Sequence, residues 1–256
     1  LILADIRDHE RVNHVFNMFQ PQLVFHAAAL KHLPLLERYP AEAYKTNVLG
    51  TKNVLNAAME SGVNTFVNIS TDKAADPTSA LGYSKLITER ATAGTGASNG
   101  ETYVSVRFGN VLGSRGSVLH TFRYQIEKGG PLTVTDENVT RYFMTIREAV
   151  HLVLQASVLG KSGETLILDM GSPVNIAEMA RYMIRRSGKA IEIRFTGIRA
   201  GEKLHEVLIA REESVSSNLH PLITHAKTHP LNRDLLTEDF DPSNAYELLI
   251  KFAKMS

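Results

Sequence analysis

Short apolar runs alternate along this chain with longer stretches whose apolar residues recur every three or four positions, the pattern of strands alternating with amphipathic helices. Leu1-Ile2-Leu3-Ala4-Asp5 reads as a strand already in progress, so an upstream strand, helix and glycine-rich loop are expected to precede it. The segment His9 to Phe19 and the apolar run Leu23-Val24-Phe25-His26 come next. A helix is expected from about Ala41 to Ser61, with Pro40 suited to its start and Gly62 to its stop. Then follow the β-rich run Thr65 to Ser70, a helix around Ser84 to Ala93, and the strand Tyr103 to Phe108. Such alternation implies parallel strands with right-handed crossovers, a doubly wound α/β fold.

Past Val111 the pattern loosens. Gly113-Ser114-Arg115-Gly116-Ser117 is a loop, and Gly129-Gly130-Pro131 turns into Leu132-Thr133-Val134. Arg147 to Leu159 reads as a helix and Leu166 to Asp169 as a strand closed by Gly171. Asn175 with Glu178 has the form of a capping box for a helix to about Arg186. Ile191 to Phe195 alternates like a strand, Thr196 to Gly201 is a polar loop, and the sequence beyond Arg211 is polar and poorly periodic. A short helix is expected over Asn244 to Met255. The expected division is a partial main domain over 1–112 and a smaller lobe over 113–256, with 147–171 returning to the main sheet.

Composition narrows the partners. The 256 residues suffice for one sizeable core or a main domain with a second lobe. A formal charge of +1 leaves no broad basic field, so nucleic acid is not an expected partner. The absence of cysteine excludes disulfides and thiolate catalysis. No stretch approaches the roughly 20 apolar residues of a membrane span.

The candidate chemistry gathers at strand ends, where ligands sit in open parallel sheets. Asn68-Ile69-Ser70-Thr71-Asp72-Lys73-Ala74 delivers an acid and an amine side by side, and a downstream helix supplies Lys85. Ala27, Ala28 and Ala29 follow a strand directly, admitting either a planar ligand or tight helix–sheet packing. Lys31 and His32 occupy the next loop, where a substrate or phosphate would sit. Asp5 and the Ile6 backbone could hold an adenine amino group, or Asp5-Ile6-Arg7-Asp8 could cap the following helix. Asn47 stands inside a helix, where asparagine is a poor choice unless a polar task or solvent claims it. The glycine-spaced loop ending in Ser114, Arg115, Gly116 and Ser117 suits phosphate oxygens, with Arg115 pairing bidentately. Arg199 and Glu202 form a second candidate clamp, for phosphate and sugar hydroxyls. No metal site is expected.

Together, His26-Ala-Ala-Ala-Leu-Lys-His32, Ser70-Thr-Asp-Lys-Ala74, Arg107-Phe-Gly-Asn-Val-Leu-Gly-Ser-Arg-Gly-Ser117 and Thr196-Gly-Ile-Arg-Ala-Gly-Glu-Lys203 resemble the extended short-chain dehydrogenase/reductases. More narrowly, they are similar to the UDP-N-acetylglucosamine 4,6-dehydratases and related capsular and O-antigen polysaccharide-biosynthesis proteins. The resemblance runs from about Asp5 to Ala210, and dehydratases acting on dTDP-glucose carry Asp-Glu where Asp72-Lys73 stands. It implies a Rossmann-like parallel sheet with a smaller C-terminal substrate lobe, NADP or NAD as cofactor, and a UDP-hexosamine substrate. It further implies a homo-oligomer in the cytoplasm, or at the cytoplasmic face of the inner membrane if a longer protein is membrane-anchored.

Carried onto this sequence, the resemblance assigns catalysis to Thr71, Asp72, Lys73 and Lys85. It assigns cofactor binding to Asp5, Ile6, Ala27, Ala28, Ala29, Lys31, Asn47, Lys85, Phe108, Gly109 and Val111. Substrate binding falls to Lys31, Asn110, Ser114, Arg115, Gly116, Ser117, Arg199 and Glu202. Lys73, as a neutral amine, would remove the sugar C5 proton while Asp72 protonates the departing C6 hydroxyl. Soluble relatives carry tyrosine four residues before the Lys85 position, whereas this chain has Leu81 there. Tyr83 is about 200° away around a helix and cannot replace it, so removal of the C4 hydroxyl proton would fall to Thr71, Asp72 or water. The alternatives are a C4 or C5 epimerase and a non-catalytic nucleotide-sugar-binding module.

Overall fold

Period-two alternation within single strands decides the architecture. In the computed structural model, which describes residues 1–114 and 116–255 (at Asn99 and 216–218 the backbone alone), six strands form one sheet. They are β1 (Leu23–His26), β2 (Thr65–Ile69), β3 (Thr102–Arg107), β4 (Glu164–Leu168), β5 (Val215–His220) and β6 (Ile223–Lys227), in the spatial order β1-β2-β3-β4-β6-β5. The first four are parallel, β6 runs antiparallel to β4, and β5 antiparallel to β6. The helices are α1 (His9–Phe19), α2 (Gly50–Glu60), α3 (Ala80–Asn99), α4 (Val118–Glu127), α5 (Ile146–Leu159), α6 (Ile176–Ser187) and α7 (Ala245–Lys254). Phe66 and Tyr103 face one core with Val54, Leu55, Ile87, Leu249 and Phe252 of α2, α3 and α7. Their neighbours Val67 and Val104 face the other, with Leu152 and Val153 of α5. Covering both faces is what a parallel sheet requires.

Several elements depart from their sequence expectations. Leu1 to Asp5, expected as a strand, pairs with no strand among the described residues. An extended segment becomes a strand only where a partner completes its ladder, and β1 pairs with β2 alone. The helix expected over Ala41 to Ser61 is continuous but wound in three parts: Pro40–Glu42, a π-helical stretch Ala43–Leu49, and α2. α3 reaches well beyond Ser84 to Ala93. Ser79 caps its start by accepting from the Gly82 amide, and Gly100 ends it at φ 77°. Gly94 survives inside it because a Cβ there would lie 2.3 Å from the Leu231 carbonyl oxygen.

The region beyond Arg211 holds the largest difference. Besides the expected helix α7, which joins one of the cores, it supplies β5 and β6, which extend the main sheet. Its strand signal is masked because the polar His225 is buried in β6, its Nδ1 bonded to Glu164 at 2.8 Å. Residues 215–220 and 223–227 thus join the sheet that holds 164–168, and 245–254 pack into one of its cores. What remains of the second lobe packs α4 and α6 around the parallel pair Leu132–Val134 and Ile193–Phe195, with Phe122, Leu132, Val134, Ile176 and Ala180 at its centre. In α6 the Asn175 side chain accepts from the Glu178 amide at 2.9 Å, the expected N-terminal cap.

Candidate active site

Parallel strands end together, so β1, β2 and β3 present their following loops at one edge. There the main sheet and the second lobe enclose a crevice of about 590 Å³. Its lining includes Ala27, Ala29, Lys31, Thr71, Lys73, Lys85, Gly109, Asn110, Val111, Ser114, Gly116, Ser117, Arg199 and Glu202. Other expected residues lie off it. Asp5 is tied to Arg7 at 2.6 Å, and Ile6 packs against Gly50. Phe108 packs into the core beneath α5. Ala28 is exposed outside the lining. Arg115 falls outside the described residues.

Asn47 is off the lining too, yet it shapes the crevice. It is fully buried in the π-helical stretch, where Oδ1 accepts from the Leu30 amide at 2.8 Å. Its Nδ2 donates to the Leu30 carbonyl at 3.1 Å and to Ser84 Oγ at 3.0 Å. This clamp holds the Ala27–Leu30 loop open beside α3.

The acid–amine pair follows β2 directly. The Thr71 hydroxyl and Lys73 Nζ each donate to Asp72 Oδ1, both at 2.9 Å. Asp72 is fully buried and does not line the crevice, so it communicates with a ligand through these two neighbours. Its Oδ2 has no hydrogen-bond partner among the described residues. Gly109 closes over it, since a Cβ there would lie 3.1 Å from Oδ2 and 2.9 Å from Tyr142 Cβ.

Two charged residues outside the sequence expectations complete the arrangement. Glu206, 5% exposed, sets Oε1 at 3.7 Å from Lys73 Nζ and Oε2 at 3.6 Å from Lys203 Nζ. Arg141 lines the crevice and donates to Glu202 Oε1 at 2.8 Å, orienting it. The available signal for Glu206 was its position three residues past the Thr196–Lys203 run, but nothing local marks its burial. Arg141 follows Thr140 in a two-residue strand and carries no motif.

Lys85 projects from α3 into the same crevice. Burial lowers its pKa from 10.5 to about 8, partly countered by Glu89. His26, 5% exposed, bonds Thr51 Oγ1 at 2.9 Å, and burial followed by the charge of Lys85 lowers its pKa to about 3, so it is neutral. Leu81 lines the crevice one turn before Lys85, while Tyr83 turns away to pack edge-on against Tyr246. Between pH of about 8 and 10.5 the unfolded chain binds the Lys85 proton that the folded one has released, so stability rises with pH across that window. Lys85→Met removes this slope and raises stability at pH 7 by up to about 3 kcal/mol. Urea denaturation of both proteins at pH 7 and pH 10 checks it, and parallel curves would refute the burial cost.

The crevice suits a flat, phosphate-bearing ligand. Ala27 and Ala29 leave room at the end of β1, Gly109 leaves no space for a side chain, and Lys85 brings a cation to the same wall.

A family model described as polysaccharide biosynthesis protein matches residues 1–228. The capsular polysaccharide biosynthesis protein CapD of Staphylococcus aureus is 48% identical over 98% of this chain, which spans 43% of CapD. The UDP-glucose 4-epimerase of Rickettsia rickettsii is 40% identical over 84% of this chain, which spans 63% of that enzyme. In three dimensions, Pen from Bacillus thuringiensis superposes with a TM-score of 0.81 at 32% identity, covering 98% of this chain and 81% of Pen. The chain therefore belongs to the polysaccharide biosynthesis protein family.

Proposed function

We propose that this chain carries the active site of a nucleotide-sugar 4,6-dehydratase acting on UDP-N-acetylglucosamine or a similar UDP-hexosamine in surface polysaccharide biosynthesis. The observation that carries the reading is the Thr71–Asp72–Lys73 cluster, with both contacts to Asp72 Oδ1 at 2.9 Å, on the wall of a crevice that Lys85 also lines. A nicotinamide dinucleotide, NAD or NADP, fits the small-residue wall of Ala27, Ala29 and Gly109. When bound, it supplies the hydride acceptor for sugar C4 and the hydride donor for C6.

The residues of the chain then move protons. With Leu81 in place of a phenol, the Thr71 hydroxyl passes the C4 hydroxyl proton to Asp72. The resulting ketone acidifies C5–H, and Lys73, as the neutral amine, takes that proton. Asp72 returns its proton through Thr71 to the C6 hydroxyl, which departs as water. Lys73 gives its proton back to C5 as C6 is reduced, so both residues end in their starting states. Each such assisted transfer is typically worth about 10² to 10⁴ in rate. Lys31, Ser114, Arg115 and Arg199 supply donors for the diphosphate, Asn110 supplies a donor for the sugar, and Glu202 accepts from its hydroxyls.

The match to an enzyme named UDP-glucose 4-epimerase favours epimerisation as the second reading, since it needs the same fold and transient ketone. C4 epimerisation gives Lys73 no task, because it never breaks the C5–H bond. Incubating the full-length protein with UDP-N-acetylglucosamine and NAD or NADP distinguishes the two. A 4-keto-6-deoxy product supports dehydration. UDP-N-acetylgalactosamine as product overturns it.

A further inference from the structure

We infer that Glu206 is a positioning residue that aims the Lys73 amine at the sugar, an inference resting on the dehydratase reading. A neutral amine has two N–H groups and one lone pair. If only Asp72 held it, Lys73 could rotate about its terminal bond and turn the lone pair away from C5. Asp72 Oδ1 at 2.9 Å accepts one N–H, and Glu206 Oε1 at 3.7 Å faces the other. With both N–H groups directed at carboxylates, the lone pair is left pointing into the crevice that Lys73 lines.

Glu206 is built for this in a way a surface carboxylate is not. Its side chain is 2% exposed, and Oε2 makes no hydrogen bond among the described residues. A buried carboxylate is costly unless a nearby cation compensates it. Lys203, with Nζ at 3.6 Å from Oε2, is that cation. Lys203 in turn donates to the Ala75 carbonyl at 2.7 Å, fastening the Glu206 segment to the turn that carries Asp72 and Lys73. The second carboxylate therefore comes from a distant segment locked against the first.

Glu206→Gln in the full-length protein tests this. An amide beside two amines turns its oxygen to Lys203 and its NH₂ to Lys73, a donor facing donors. The expected result is exchange of the substrate C5 proton with deuterated solvent slowed about 10- to 100-fold. Oxidation at C4, followed as reduced nicotinamide, continues within about twofold of wild type and KM within about threefold. A merely structural loss would depress both partial reactions together. Glu206→Asp keeps the charge but withdraws it by one methylene, and recovers part of the exchange rate. If Glu206→Gln does not fold, Glu206→Asp alone decides, with the same split expected at smaller size. Unchanged C5 exchange, or equal loss of both steps, overturns the inference. A wild-type protein that oxidises C4 without exchanging C5 overturns the dehydratase reading itself.

Discussion

Lys73→Ala lowers dehydratase turnover by about 10² to 10⁴, with C5 exchange lost in parallel and KM little changed. The expectation follows from what no neighbour can replace. Asp72 is fully buried, Glu206 is 5% exposed and Lys85 belongs to the α3 wall, so Lys73 is the crevice-lining base next to the acid. Removing it also leaves two buried carboxylates facing each other's charge, which destabilises the fold. Lys73→Arg separates the two effects. Arginine again places N–H donors between Asp72 and Glu206, but its guanidinium stays protonated in proteins and cannot accept the C5 proton. Thermal stability is therefore expected to recover in Lys73→Arg while C5 exchange does not. Measuring exchange by NMR against the fraction of folded, cofactor-bound protein checks both. An arginine variant that exchanges C5 at the wild-type rate would remove Lys73 from the role of base and leave it only a charge.

Arg107→Met is expected to cost about 3–5 kcal/mol of stability. Arg107 is fully buried at the end of β3. Its guanidinium donates to Glu89 at 3.1 and 2.6 Å, to Glu213 at 2.8 and 2.7 Å, and to the Leu208 carbonyl at 2.9 Å. Burial works against the charge, but the two glutamates more than offset it and raise the pKa above its ordinary value. Without Arg107, Glu89 is an uncompensated charge within the core and the 208–213 loop loses its anchor. The double variant Arg107→Met, Glu89→Met recovers part of the loss, because it removes the fully buried carboxylate with its partner and leaves only Glu213, at the partly exposed end of the cluster, without its guanidinium. Urea denaturation gives both values. A single variant within about 1 kcal/mol of wild type would mean that Glu89 finds another partner or takes up a proton at little cost.

The network also explains why the crevice-lining loop after β3 keeps its course. Phe108 and Gly109 follow Arg107 immediately, and Gly109 must pass within contact of Asp72 Oδ2. A shift of the strand end would open or collapse that approach. Stability at Arg107 and geometry at Asp72 are thus properties of one stretch of chain.

Local pattern was enough for much of this architecture. The β-rich runs at Thr65–Ile69 and Thr102–Arg107, the cap at Asn175 and the break at Gly62 depend on neighbours within a turn or a strand. So does the adjacency of Asp72 and Lys73 at a strand end. The π-helical winding around Asn47 was not legible, since it follows from the bonds to Leu30 and Ser84 on other segments. Nor was β6, whose His225 reads as a surface residue until Glu164 of β4 takes its ring nitrogen.

By itself, then, the sequence determined the order of strands and helices from β1 to β3, and which acid and amine leave β2 together, because those are short-range consequences of periodicity and covalent neighbourhood. Tertiary structure alone decided that Asp72 sits behind the crevice wall, that Asp5 and Phe108 stay off it, and that Glu206 reaches Lys73. Burial and charge pairing depend on surfaces brought together from distant parts of the chain, and no local pattern encodes their distance.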